Sequence, residues 1–132
     1  MTTIVFPGQG SQFIGMSRDF YENFNISKEI FKLVSDITKI DIKDIIFEDA
    51  SNLLDQTQYT QLAIFCASTS IYQALINEID IQKLNIKFML GHSLGEYTAL
   101  AAAKILSIED CSLLLKTRGE LMQNAFEPNL SA

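Results

Sequence analysis

The sequence predicts an α/β fold built on a parallel sheet, and three observations carry that reading. Two short apolar runs, Ile4 to Phe6 and Ile86 to Leu90, each stop abruptly at a glycine-containing turn, as short buried strands do. Stretches with apolar residues at helical spacing lie between and after them. The second run also passes without a break through "GHSLG" into a helix-forming segment, in "FMLGHSLGEYTAL" from Phe88 to Leu100. Strands alternating with helices imply an α/β arrangement.

Taken in order, Ile4 to Phe6 is closed by Pro7-Gly8 and reads as a brief buried strand. Ser27 is placed to cap a helix whose apolar face is Ile30, Phe31, Val34 and Ile37. The segment "DIKDIIFE" predicts a short helix or turn. A long helix is expected from about Thr60 to Ile79, with Phe65, Leu75, Ile76 and Ile79 among its buried positions. Ile86 to Leu90 is the second strand, and helix returns from Leu94 to about Ala103. Ser107-Ile-Glu-Asp110 resembles a capping box and opens a last helix running to about Ala125.

Only two strands are legible, and two parallel strands cannot form a sheet covered on both faces. Residues 1–132 are therefore expected to be the N-terminal portion of a larger α/β domain, with the closing "FEPNLSA" completing no element. A small, mostly helical domain with one strand pair is the alternative.

Composition bounds the function. Hydrophobic residues make up 48% and charged residues 20%, which is globular rather than disordered. A net charge of −6 with scattered basic residues argues against a nucleic-acid groove. No apolar run approaches the ~18 residues of a membrane span, and the N-terminus shows no secretory signal. Cys66 and Cys111 lie far apart inside helical patterns, so reduced core thiols in a cytoplasmic setting are expected, with no metal site.

Three places carry candidate chemistry. Gly91-His92-Ser93-Leu94-Gly95 fits G-x-S-x-G between a predicted strand and a predicted helix, the context of a nucleophile elbow. The helix starting at Leu94 aims free N–H groups and a positive dipole end at the serine oxygen. Ser93 is then a nucleophile, or more plainly a helix cap between two permissive glycines. A serine nucleophile needs a base. The single histidine, His92, adjoins Ser93 and is expected to project away into a structural slot, so a base is missing from this sequence. The second place is "PGQGSQ", Pro7 to Gln12. Phe13 occupies the third glycine position of a phosphate-binding G-x-G-x-x-G, which excludes that reading. What remains is a glycine-rich turn with backbone N–H groups and two carboxamides, either of which could donate to an oxyanion; by spacing alone a plain loop is preferred. The third is Arg118, which falls within a stripe formed by Cys111, Leu114, Leu115, Leu121, Met122 and Ala125. A guanidinium there must snorkel out, pair with an internal carboxylate, or await an anionic ligand.

Together, "FPGQGSQ", "GHSLGEYTAL" and "TRGELMQ", in that order, resemble the malonyl-CoA:acyl carrier protein transacylase family of bacterial fatty-acid synthesis. "YTQLAIF" also resembles the family's T-Q-P-A segment, with Leu62 where proline is usual. The likeness implies an α/β-hydrolase-like acyltransferase core, of which this chain would hold the N-terminal part without the family's small ferredoxin-like subdomain. It implies Ser93 as the acyl-accepting nucleophile and the backbone N–H groups of Gln12 and Leu94 as the oxyanion hole. Arg118 would bind the malonyl carboxylate, with Gln61 beside the pocket. Malonyl-CoA and acyl carrier protein would be the partners, with no cofactor, nucleic acid or membrane. Since the family's histidine base has no counterpart here, little turnover is expected of this chain alone. An α/β-hydrolase-type esterase or thioesterase, or a non-catalytic fragment, are the rival readings.

Overall fold

The structure is a computed structural model of the 132-residue chain, in which residues 1–125 are described. The segment "FEPNLSA", residues 126–132, lies outside the described residues. Strand β1 (Thr2–Phe6) is followed by four helices, α1 (Arg18–Asn23), α2 (Asn25–Thr38), α3 (Ile42–Phe47) and α4 (Thr57–Glu78). A single 3-10 turn (Ile81–Leu84) leads into β2 (Ile86–Gly91), and α5 (Gly95–Ala102) and α6 (Ile108–Gln123) complete the order.

The two strands pair in parallel, with Ile4 opposite Met89, Val5 opposite Leu90 and Phe6 opposite Gly91. This register brings the C-terminal ends of both strands to one edge, so the loops leaving them emerge side by side. One sheet face packs on helices: Phe6 lies with Tyr72 of α4 and with Ala99 and Ala102 of α5, and Ile4 and Met89 pack against that group. The other face is open. Val5 (67%), Phe88 (56%) and Leu90 (53%) are exposed there, although parallel strands are ordinarily covered on both sides.

The main core lies among the helices, around Phe31, Val34, Ile42, Ile46, Phe65 and Leu115. Local sequence sets several boundaries. Asp41 caps α3 by accepting from Asp44 N at 3.1 Å, and Ser107 caps α6 by accepting from Asp110 N at 2.9 Å. Lys39, left-handed at φ 61°, closes α2.

Three expectations are corrected. Ser27 does not cap α2; Phe24 holds that place, and the buried Ser27 hydroxyl donates instead to the Ser70 carbonyl at 3.1 Å. In α4, which begins at Thr57, Leu75 is exposed rather than buried, as is Ile79 at its C-terminal cap; the buried residues lie between Thr60 and Ala74. On α6 the buried line is Cys111, Ser112, Leu115 and Gly119, whereas Leu114, Leu121, Met122 and Ala125 are exposed. That helix meets α4 through its small residues: a Cβ on Gly119 would lie 2.9 Å from both the Cα and the carbonyl oxygen of Gln58.

Candidate active site

Ser93 sits at the turn between β2 and α5 with φ 54°, a left-handed conformation that costs a non-glycine residue energy. The glycines two positions to either side allow the turn. A Cβ on Gly91 would come within 2.0 Å of the Gly95 carbonyl, and one on Gly95 within 2.5 Å of the Phe6 carbonyl oxygen. Strand, turn and helix are thus packed backbone to backbone, and Ser93 is left exposed at the apex. The next residue, Leu94, is fully buried and anchors the start of α5.

The glycine-rich loop lies against this turn. A Cβ on Gly8 would meet His92 Nδ1 at 2.5 Å and the His92 carbonyl oxygen at 2.6 Å. The loop closes on itself through Ser11 Oγ donating to the Gly8 carbonyl at 2.8 Å, and Gly10 takes φ 106°. Two carboxamides strap it to the approach of α4: Gln9 Nε2 donates to Thr57 Oγ1 at 3.0 Å, and Gln12 Nε2 to Asp55 Oδ1 at 2.8 Å. Gln12 Oε1 accepts from Gly10 N at 2.8 Å. Each carboxamide nitrogen thus spends one of its two N–H groups on tying the loop down. The backbone N–H groups of Gln12 and Leu94, by contrast, donate to no partner among the described residues. His92 is exposed, and its ring lies against Gly8 of the glycine-rich loop.

Arg118 reaches the turn from α6. Its Nη2 donates to Ser93 Oγ at 3.2 Å, and its Nη1 donates to Gln61 Oε1 on α4. Gln61 is 1% exposed, and its Nε2 points to Met122 Sδ at 3.3 Å. The ring of Tyr97 lies under the guanidinium, 5.8 Å from Cζ to its centroid. Among the described residues the ion pairs are Arg18–Glu48, Lys32–Asp36 and Lys83–Asp80, so every contact of Arg118 is to a neutral group. Internal pairing with a carboxylate, the ordinary outcome for such an arginine, does not occur there.

The structure thus joins Ser93, Arg118 and Gln61 by hydrogen bonds, with Leu94 adjoining Ser93 in the chain. Gln12 is at the same end of the sheet but makes no hydrogen bond to any of them. Sequence reasoning missed Tyr97, which lies in the first turn of α5 four residues beyond Ser93. Asp55 and Thr57 left no signal, because their contacts with Gln12 and Gln9 join segments far apart in the chain. Both cysteines are buried free thiols, as expected. Burial pushes the Cys111 thiol up to about 11, helped by the charge of Asp110, and pushes Cys66 higher still.

A serine held at a strand–helix elbow with a cationic fork beside it defines an α/β domain of the acyl-transferring kind. Residues 3–130 match the acyl transferase domain family, and the chain belongs to it. It is similar to the malonyl CoA-acyl carrier protein transacylase of Bacillus subtilis, 42% identical over 121 residues, covering 92% of this chain and 30% of that protein. Among solved structures it resembles the acyl-carrier-protein-S-malonyltransferase of Bartonella henselae, with a TM-score of 0.88 and 38% identity over 96% of this chain and 41% of that one. Another match is a malonyl-transacylase solved in complex with its type II PKS acyl-carrier protein, with a TM-score of 0.85 and 33% identity over 95% of this chain and 40% of that one. The chain spans less than half the length of these relatives.

Proposed function

We propose that this chain carries the acyl-accepting part of a malonyl transfer site, serving transfer from malonyl-CoA to the pantetheine thiol of acyl carrier protein in fatty acid biosynthesis. The observation that carries the reading is the Arg118 guanidinium, neutrally held, with Nη2 3.2 Å from Ser93 Oγ. A carboxylate two bonds from a thioester carbonyl would meet this fork while its carbonyl carbon approached the serine oxygen. A planar fork suits a carboxylate better than a lysine would, and an acetyl group would leave the cation unanswered. Gln61 sits beside the acyl group through its bond to Arg118.

The chemistry balances as a two-step exchange. Ser93 Oγ bonds to the carbonyl carbon, the carbon–sulfur bond breaks, and coenzyme A leaves as its thiol with the serine proton. The carrier thiol sulfur then bonds to the ester carbonyl carbon, the carbon–Oγ bond breaks, and the thiol proton returns to Ser93, giving ping-pong behaviour. The tetrahedral oxyanion would be met by the N–H groups of Leu94 and Gln12, which have no partner among the described residues. No imidazole or carboxylate hydrogen-bonds to Ser93 Oγ among the described residues, so we expect little turnover from this chain alone. The open sheet face of Val5, Phe88 and Leu90 supports reading residues 1–132 as the N-terminal portion of a larger domain. A cytoplasmic setting accords with two free thiols, and no described helix is long and apolar enough to cross a membrane.

Intact-mass measurement after prolonged incubation with excess malonyl-CoA tests the site. One malonyl group should appear on the chain, none on Ser93→Ala, and added holo-acyl carrier protein should remove it. Loss to water at the same rate with or without carrier would instead indicate a hydrolase. Absence of any adduct in a full-length relative joined to these residues would remove the proposal.

A further inference from the structure

We infer that Tyr97 is a positioning residue for Arg118, holding the guanidinium by its face so that the charge stays beside Ser93. This rests on the reading of Arg118 given above, and it adds what keeps that side chain in place. A free arginine has many rotamers, and fixing one requires partners. A carboxylate partner would fix it but would also compete with any incoming anion. Among the described residues the holders are neutral. Gln61, itself oriented by Met122 Sδ at 3.3 Å, takes the Nη1 edge. The Tyr97 ring takes the face at 5.8 Å, within the ~6 Å reach of a cation–π contact.

Tyr97 is suited to this by its own anchoring. Its N–H donates to the Leu94 carbonyl at 3.0 Å, so the ring is registered to the residue that follows the nucleophile. Its carbonyl accepts from Cys111 Sγ at 3.5 Å, a contact from α6, the helix that bears Arg118. The same residue therefore ties both helices and supports the guanidinium between them. Its phenolic hydroxyl makes no hydrogen bond among the described residues, so the ring carries the role and phenylalanine should replace it.

The 132-residue chain can be titrated with malonate while the Arg118 Nε–Hε resonance is followed by NMR. Tyr97→Phe should bind as the parent does, and Tyr97→Leu should bind roughly two- to fivefold more weakly. In an Arg118→Ala background, Tyr97→Leu should change nothing further. Equal affinity of the Leu and Phe variants, or the same loss with Arg118 absent, would overturn the inference. Tyr97→Met, unbranched and better able to adapt to the space left by the ring, serves if the Leu variant unfolds. The ligand-free spectrum decides separately. An upfield ring shift of the Arg118 resonance, kept in Phe and lost in Leu, supports the contact even if malonate fails to bind, a failure that would count only against the carboxylate reading. No such shift in the parent chain would overturn the contact.

Discussion

Replacing Ser93 with glycine should leave the folded chain more stable than replacing it with alanine does. At φ 54° the serine occupies the left-handed region, which costs an L-residue roughly 1–2 kcal/mol. Glycine escapes that cost but gives back ~0.5–1 kcal/mol through the greater freedom of the unfolded chain. Both variants lose the hydrogen bond from Arg118 Nη2 at 3.2 Å, so that loss cancels when they are compared. The glycine variant should therefore exceed the alanine variant by about 0.5–1 kcal/mol. Equilibrium urea unfolding followed by far-UV circular dichroism reads this as a midpoint higher by roughly half a molar for a domain of this size. Coincident midpoints, or a lower one for glycine, would refute the claim that the turn stores strain at its apex. The strain is the cost of presenting an oxygen where a smaller residue would sit more comfortably.

Other outcomes follow from the same geometry. Arg118→Ala should weaken malonate binding roughly 10- to 150-fold, the loss expected for hydrogen bonds to a charged group, and calorimetry showing unchanged affinity would end its carboxylate role. Gly119→Ala drives a Cβ to 2.9 Å from the Gln58 backbone, so it should destabilise the chain by about 1–3 kcal/mol in urea unfolding and displace the Arg118 resonance; a neutral effect would contradict the close approach of α4 and α6. The thiols supply a pH dependence. The thiolate is the reactive form, and Cys111 is raised from 9.0 to about 11, so alkylation of the folded chain should be slow at pH 8 and quicken toward pH 11, with Cys66 following later. Because the unfolded thiol ionises first, stability should fall as pH rises from 9.0 toward about 11, and rapid labelling of native protein at pH 8 would contradict the burial of both groups.

Much of the site was legible because its signals are local. Gly91, Ser93 and Gly95 fall within one turn, and the strand and helix that give them meaning adjoin it. The caps at Asp41 and Ser107 belong to the same class. The apolar stripe that singles out Arg118 in the sequence is only partly real, since Leu114, Leu121 and Met122 on it face outward. Hydrophobic periodicity fails on α6 because its buried line includes Ser112 and Gly119, chosen by closeness of approach rather than by apolar area. The middle of α4 misleads similarly, since it buries Thr60, Gln61, Thr69 and Ser70 together with its apolar residues. Ser27 looked like a cap because serine favours that place, but a distant carbonyl of Ser70 claimed its hydroxyl. Contacts of that range leave no trace in a single sequence.

The straps from Gln9 and Gln12 to the approach of α4 change what substitution can reveal at this loop. A scan that trims side chains would register Gln12 as scaffolding, since the amide hydrogen proposed for the oxyanion belongs to the main chain and survives every replacement but proline. Exchange of that one peptide nitrogen for an ester oxygen by chemical synthesis is the perturbation matched to it. Electrostatic work assigned to the backbone is thereby sheltered from ordinary mutation, and the side chain's identity is free to be set by how firmly it tethers the loop.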